Sequence, residues 1–271
     1  MKVLIVGGGG REHALAWKAA RSKRVEKVFV APGNAGTARE NKVENIDIGA
    51  NDVGALVRFS RDRGVDLTIV GPEMPLVRGI RDAFDGAGLR CFGPGAKASR
   101  LEGSKAFAKD FLLRHRIPTA SYRTFDEPEG ARRYIREQGT PLVIKADGLA
   151  AGKGVIVAES EAEAVSVAEE MLSGKAFGEA GRKVVLEEFL RGEEASFIVM
   201  VDGRSILPLA TSQDHKAIYD GDTGPNTGGM GAYSPAPVVT DDMMDKITRE
   251  ILVPVVDAMN RNGTPYRGVL Y

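Results

Sequence analysis

The 271 residues lack a charge of one sign in excess: 37 Lys and Arg are balanced by 37 Asp and Glu, for a formal net charge of +0. A sequence-independent nucleic-acid binder carries surplus positive charge to displace counterions, so the balance argues against a nucleic-acid partner. There is one cysteine, Cys91, which excludes an internal disulfide framework. Lying in the apolar run Leu89–Phe92, it reads as a buried packing thiol. No uncharged run approaches the ~18 residues needed to span a membrane. The apolar run at Met1–Val6 is too short, and wrongly flanked, for a secretory leader. These absences lead to the expectation of a soluble, cytoplasmic protein with no membrane partner.

The three histidines, His13, His115 and His215, show no metal-ligand spacing. No Gly-x-Ser-x-Gly elbow and no Cys/His nucleophile pair is present. No metal ligand and no covalent nucleophile is therefore assigned. Proline is scarce at 13 residues while glycine reaches 33, so this is not a disordered Gly/Pro tract. The glycines belong at turns, or where backbone approaches a ligand closely.

At roughly 100–200 residues per domain, the length suggests about two domains. The first hundred residues alternate strand and helix, which predicts a parallel sheet covered on both faces. The predicted strands are Lys2–Val6, Lys27–Ala31, Asp66–Val70 and Leu89–Phe92, with helices over Arg11–Ala20, Asp52–Arg63 and from Pro75 to Gly86. Past a boundary near residues 100–120 the pattern becomes α+β and antiparallel. A helix over Ser104–Arg114 precedes strands at Pro141–Lys145, Val155–Ala158 and Val184–Leu186. Ser160 and Glu163 read as a capping box. Asp202-Gly203 reads as a hairpin turn between Phe197–Val201 and Ser205–Leu209. Thr211–Pro235 reads as one long polar, glycine-laden loop of functional kind. Thr240 caps a helix running to about Asn260, kinked at Pro254 and ended by Gly263. Tyr266–Tyr271 opens a further strand.

The glycine loops carry the chemistry. Gly7–Gly10 follows the first strand, but His13 stands where a dinucleotide fingerprint needs its third glycine. The second strand also ends in Ala31-Pro32, with no acid for a ribose hydroxyl, so nicotinamide dinucleotide binding is disfavoured. Two readings of this turn stand: a phosphate site at a helix N-terminus beside Arg11, or a tight turn with Arg11 solvated. The stretch from Lys145 to Gly154 contains Gly-Lys, yet it is no Walker loop. Three residues separate Gly148 from Gly152, and Gly154 follows Lys153 where Ser or Thr is required. It runs from strand to strand, as a flap whose amides and lysines, Lys145 and Lys153, suit triphosphate oxygens. Glu187, Glu188, Glu193 and Glu194 are either solvated surface or acceptors for an adenine amine and a ribose.

Taken in order, these segments resemble the glycinamide ribonucleotide synthetase family of the ATP-grasp superfamily. The resemblance is carried by Gly8–Ala14, Ala31–Thr37, Val70–Glu73, Leu101–Lys105, Ile144–Val155, Glu187–Phe197 and Ala210–Pro237. It implies an α/β chain with a Rossmann-like parallel-sheet domain at 1–103. An α+β ATP-grasp fold would follow, with its core at 104–122 and 193–271 and a lid at 123–192, truncated at its C-terminal end. The implied reaction is ATP-dependent ligation of glycine to 5-phosphoribosylamine through a glycyl phosphate, with ATP and Mg²⁺ or Mn²⁺ as cofactors. Positioning and charge neutralisation suffice for phosphoryl transfer, which agrees with the missing triad.

The resemblance further implies the site. Lys105, Lys145, Gly148, Gly152, Lys153 and Gly154 would hold the ATP phosphates. Glu187, Glu188, Phe189 and Leu190 would hold adenine, and Glu194 the ribose. Asp214, Lys216, Asn226 and Thr227 would act at the transferring phosphate, with Gly228, Gly229 and Met230 on the substrate side. Gly10, Arg11 and Glu12 would face phosphoribosylamine. The family's metal ligands are expected past Tyr271, so the 271 residues alone are expected to bind nucleotide weakly and not to ligate. The full-length protein is expected to be an active monomer.

Overall fold

The computed structural model describes residues 1–149, 154–174, 178–221 and 223–271. They divide into two compact units: Met1–Arg100 with Tyr266–Val269, and Leu101–Pro265 with Leu270–Tyr271.

The first unit is a five-stranded, all-parallel sheet. Its strands are β1 (Lys2–Gly7), β2 (Lys27–Pro32), β3 (Val43–Asn45), β4 (Leu67–Val70) and β5 (Cys91–Phe92), in the order β3-β2-β1-β4-β5. Successive side chains of a strand point to opposite faces, and here both faces are covered. Val3, Ile5, Val28 and Val30 pack with Ala16 of α1 (Gly10–Ala20). Leu4, Val6, Phe29 and Ala31 pack with Leu56 of α2 (Val53–Arg63). Ile80 and Phe84 join that same cluster. Each of these Val, Leu, Ile and Phe side chains taken from water contributes about 1.5–3 kcal/mol. The three-residue edge strand β3 goes unread in the sequence, because Val-Glu-Asn is too short to show alternation. The helix expected from Pro75 is two: α3 (Glu73–Val77) and α4 (Ile80–Gly86). Gly79 between them takes φ +83°, a left-handed turn that suits glycine.

The second unit opens with α5 (Arg100–Gly103) and α6 (Lys105–Arg114), whose N-cap Ser104 accepts from Phe107 N–H at 3.1 Å. Then come β6 (Tyr122–Phe125), α7 (Pro128–Gln138), β7 (Leu142–Ala146), β8 (Val155–Ala158), α8 (Glu161–Leu172) and β9 (Val184–Glu188). They form an antiparallel sheet of order β6-β9-β7-β8. Its inner residues Leu142, Ile144, Val184 and Leu186 pack against Ile135 of α7 and Ala164, Ala168 and Met171 of α8. The capping box at α8 is half formed. Ser160 Oγ accepts from Glu163 N–H, but Glu163 Oε2 accepts from Glu159 N–H, one residue outside the N-cap.

β10 (Val199–Asp202) and β11 (Ile206–Pro208) make the expected hairpin, with Asp202 Oδ1 accepting from Arg204 N–H and Ser205 N–H. The expected long loop at 211–235 is instead a second hairpin, β12 (Gln213–Tyr219) with β13 (Thr223–Tyr233). Most of its residues are solvated, so it has no apolar alternation by which a strand announces itself. The last helix is not smoothly kinked. α9 (Asp241–Ile247) passes through a π-helical turn at Thr248–Leu252 into α10 (Val253–Arg261). The wide turn lies just before Pro254, whose ring and missing N–H disrupt the regular ladder. Gly263 ends the segment at φ +69°, and β14 (Arg267–Leu270) follows.

Candidate functional site

The pleat of the antiparallel sheet decides which charges meet. Across β7 and β9, Ile144 pairs with Leu186 and faces the helices, while Val143 pairs with Glu187 and Lys145 with Val185. Lys145 and Glu187 therefore share the face away from α7 and α8. There Lys145 Nζ donates to Glu187 Oε2 at 2.8 Å. Lys109 Nζ, arriving from α6, lies 3.3 Å from the same oxygen. Glu187 is 5% exposed, so this carboxylate is buried with two cations beside it.

Lys105 stands one helical turn before Lys109, hence on the same face of α6. Its Nζ donates to Gly148 O at 3.0 Å. Asp147, just past β7, fastens this end of α6. Its Oδ1 accepts from Ser104 Oγ at 3.0 Å and from Ala106 N–H at 2.7 Å, where a carboxylate also complements the helix dipole. Burial pushes the Lys105 ammonium below its ordinary pKa, against the pull of Asp147, and neighbouring Lys145 lowers it further. Burial likewise lowers Lys109, opposed by Glu187. Partly desolvated ammonium groups brought together in this way favour an anion, and phosphate oxygens fit that demand. Gly148 cannot carry a side chain easily, because a Cβ there would lie 2.7 Å from Ala180 Cβ. Gly154 is described and buried; Gly152 and Lys153 lie outside the described residues.

Beyond β9, Glu188 Oε1 accepts from Ser121 N–H at 2.8 Å, which holds its carboxyl below the usual range. Phe189 and Leu190 are exposed apolar residues. Glu194 accepts from Lys216 Nζ, and Asp214 Oδ2 is 3.7 Å from the same nitrogen. The bond to Glu194 raises the Lys216 pKa, with Asp214 adding to it. Thr227 Oγ1 donates to Lys216 O at 2.9 Å and accepts from Gly229 N–H at 3.0 Å. Asn226 sits opposite Ala217 in the hairpin. Gly228, Gly229 and Met230 belong to β13, Met230 being 59% exposed.

In the first unit, the glycine turn after β1 closes on a side chain of its own. Glu12 is buried, with Oε2 accepting from Gly9 N–H at 2.7 Å and Oε1 accepting from Arg11 Nε at 3.0 Å. Arg11 also reaches Glu73 Oε1 at 2.9 Å while its side chain stays half exposed. Gly10 opens α1, with open space where a Cβ would be. Asn34 Nδ2 donates to Gly8 O at 3.0 Å, and Asn34 Oδ1 accepts from Gly36 N–H and Thr37 N–H. The turn is thus an interlocked polar cradle.

The residues that sequence reasoning missed are Lys109, Asp147 and Asn34. For Lys109 a signal existed, its four-residue spacing from Lys105, but nothing local announces contact with a strand 78 positions later. A cleft of about 490 Å³, lined by Arg204, Ile206, Val253, Val256, Asp257 and Asn260, lies elsewhere in the second unit and includes none of the lysine cluster. Among the described residues no group of three His, Cys, Asp or Glu is placed to hold a metal.

The family comparisons match this division. The model for the phosphoribosylglycinamide synthetase ATP-grasp (A) domain matches residues 103–271, so the second unit is an ATP-grasp domain. The model for the N domain of the same synthetases matches residues 1–102. The chain belongs to the phosphoribosylglycinamide synthetase family. It is 63% identical over 271 residues to phosphoribosylamine–glycine ligase of Vibrio cholerae and likewise to that of Escherichia coli. In both cases the match takes in all of this chain and 63% of the relative. The crystal structure of phosphoribosylamine–glycine ligase from Thermotoga maritima is similar with a TM-score of 0.83 and 33% identity, over 99% of this chain and 64% of that one. The chain therefore spans less than two thirds of the length of these relatives.

Proposed function

We propose that this protein is an ATP-dependent carbon–nitrogen ligase joining glycine to 5-phosphoribosylamine. The products would be glycinamide ribonucleotide, ADP and phosphate, as in the second step of de novo purine synthesis. The carrying observation is that Lys109 and Lys145 meet on buried Glu187 while Lys105, from the same helix face as Lys109, bonds to Gly148 O. The names of the relatives at 63% identity support the substrate pair.

ATP would supply the phosphoryl group that activates the glycine carboxylate as an acyl phosphate for attack by the amine. Lys105 and Lys145 would neutralise its phosphates, with Gly148 and Gly154 bringing backbone close. Glu187, with the backbone of Phe189 and Leu190, would hold the adenine, Glu188 bracing the strand end through Ser121. Glu194 would take the ribose by releasing Lys216. Lys216, Asp214, Asn226 and Thr227 would then serve the transferring phosphoryl group, and Gly228–Met230 the substrate beside it. Gly10 and Arg11 would face phosphoribosylamine, with Glu12 holding Arg11 from within the turn. Among the described residues no three of His, Cys, Asp and Glu stand together to hold Mg²⁺ or Mn²⁺. The separate apolar core of β6–β9 with α7 and α8 supports a lid at 123–192 distinct from a core at 104–122 and 193–271. No helix among the described residues is long and apolar enough to cross a membrane, and a cytoplasmic monomer is the proposed state.

Displacement of a fluorescent adenine nucleotide tests this reading. ATP should displace it and NAD should not. Lys145→Met should weaken ATP by about 10–100-fold, the worth of a charged hydrogen bond. Equal displacement by NAD, or a Lys145→Met protein with undiminished affinity, would overturn it.

A further inference from the structure

Lys109 differs from the two lysines near it. Its side chain is about one-tenth exposed. The ammonium donates to Thr119 Oγ1 at 2.8 Å and to Ala120 O at 3.1 Å, and lies 3.3 Å from Glu187 Oε2. An ammonium has three protons, and these three acceptors use them all. The ring of Tyr122, 5.5 Å away, adds a fourth wall. Lys109 is thus held by the protein from every side. Lys145 is a quarter exposed and shares the same Glu187 oxygen at 2.8 Å. Both ammonium contacts fall on Glu187 Oε2.

We propose that Lys109 is a positioning residue that holds the Glu187 carboxylate in place when Lys145 turns to the nucleotide's phosphates, and thereby sets the preference for adenine over guanine. The inference rests on the reading above, in which Glu187 faces the adenine and Lys145 the phosphates. A buried carboxylate stripped of its only cation is strongly penalised and would rotate away from its place. With Lys109 locked on Oε2, Lys145 can leave and the charge remains countered. The second oxygen, Oε1, would then be kept for the base. The adenine 6-amino group donates to such an oxygen, whereas guanine presents a 6-oxo acceptor and is repelled. With its protons taken by these protein acceptors, Lys109 would act through Glu187 rather than on base or phosphate.

The test compares ATP and GTP affinities by calorimetry for the native protein, Lys109→Met, Lys109→Arg, Glu187→Gln and the Lys109→Met/Glu187→Gln double variant. The native protein should prefer ATP, and Lys109→Met should lower the ATP/GTP ratio about tenfold, the net worth of one hydrogen bond. Lys109→Arg should restore most of the ratio. The double variant should be no less selective than Glu187→Gln alone, since residues acting through one another are not additive. A native ratio in Lys109→Met, or losses that simply add, overturns the role of Lys109 while leaving Glu187 at the base. A native protein that does not prefer ATP overturns the base assignment itself. If Lys109→Met does not fold, Thr119→Val removes one anchor and keeps every charge. It should lower the ratio to a smaller extent, and an unchanged ratio overturns the inference.

Discussion

Lys145 and Glu187 stand diagonally across two neighbouring antiparallel strands, Nζ to Oε2 at 2.8 Å, on the face of the sheet turned away from its helices. A shift of one residue in the β7–β9 register would send one of the pair into the apolar core. The aliphatic neighbours Ile144 and Leu186 therefore guard the site: their burial pins the register that brings the charges together.

The depressed Lys105 pKa has a consequence for binding. Burial disfavours the ammonium, while bound phosphate would favour it and raise the value again. Between the free and bound values the complex holds the additional proton. Nucleotide binding in the alkaline range below the ordinary lysine value should therefore take up protons, and affinity should fall as pH rises through that range. Calorimetry in buffers of different ionisation enthalpy reads this directly. Proton release on binding would contradict it. The same lowering works on folding with its own sign. Unfolded Lys105 binds more protons in the window below the ordinary lysine value, so its penalty to stability is relieved as pH rises through the folded value.

Gly71 should not tolerate a methyl group. A Cβ there would overlap Glu12 Oε1, and Glu12 cannot retreat without giving up Gly9 N–H. Gly71→Ala should cost about 1–3 kcal/mol, the usual range for overpacking. Urea unfolding followed by Trp17, the single tryptophan and a residue of α1, measures it. Gly86→Ala is the control, since nothing lies within 4 Å of its Cβ position. Equal midpoints for the two variants would refute the clash.

Cys91 should behave as an inert thiol. Burial pushes its pKa up to about 12, and the thiolate is the reactive form. A disulfide reagent at about pH 8 should label the protein only after denaturant is added, because an ordinary thiol titrates near that pH. Rapid labelling of the native protein would be the contrary result. Above the unfolded thiol's pKa the unfolded state loses its proton first, so stability should decline there as pH rises.

Most of the first unit was legible because parallel strands buried on both faces are dense apolar runs, as Val3–Val6 and Val28–Ala31 are. Helix starts were legible where a side chain caps them, at Asp52, Ser104, Ser160 and Thr240. The β12–β13 hairpin was not, because its residues are solvated and so carry no burial pattern. Of the lysine and glutamate residues that cluster here, Lys145 and Glu187 stood out in their segments and Lys105 was implied by the family resemblance, whereas Lys109 looks like any helix lysine until the fold sets it against β9.

The sequence by itself determined the kinds of elements and the loops that carry charge and glycine, since strand alternation, helix phase and caps act within a few residues. Tertiary structure alone decided which charges meet. It turned Glu12 inward to close the glycine turn and set Lys109 on Glu187. It also paired Lys216 with Glu194, and gave Asp147 to the first turn of α6. Such contacts join residues far apart in the chain, and only the packing of sheet and helices brings them within hydrogen-bond distance.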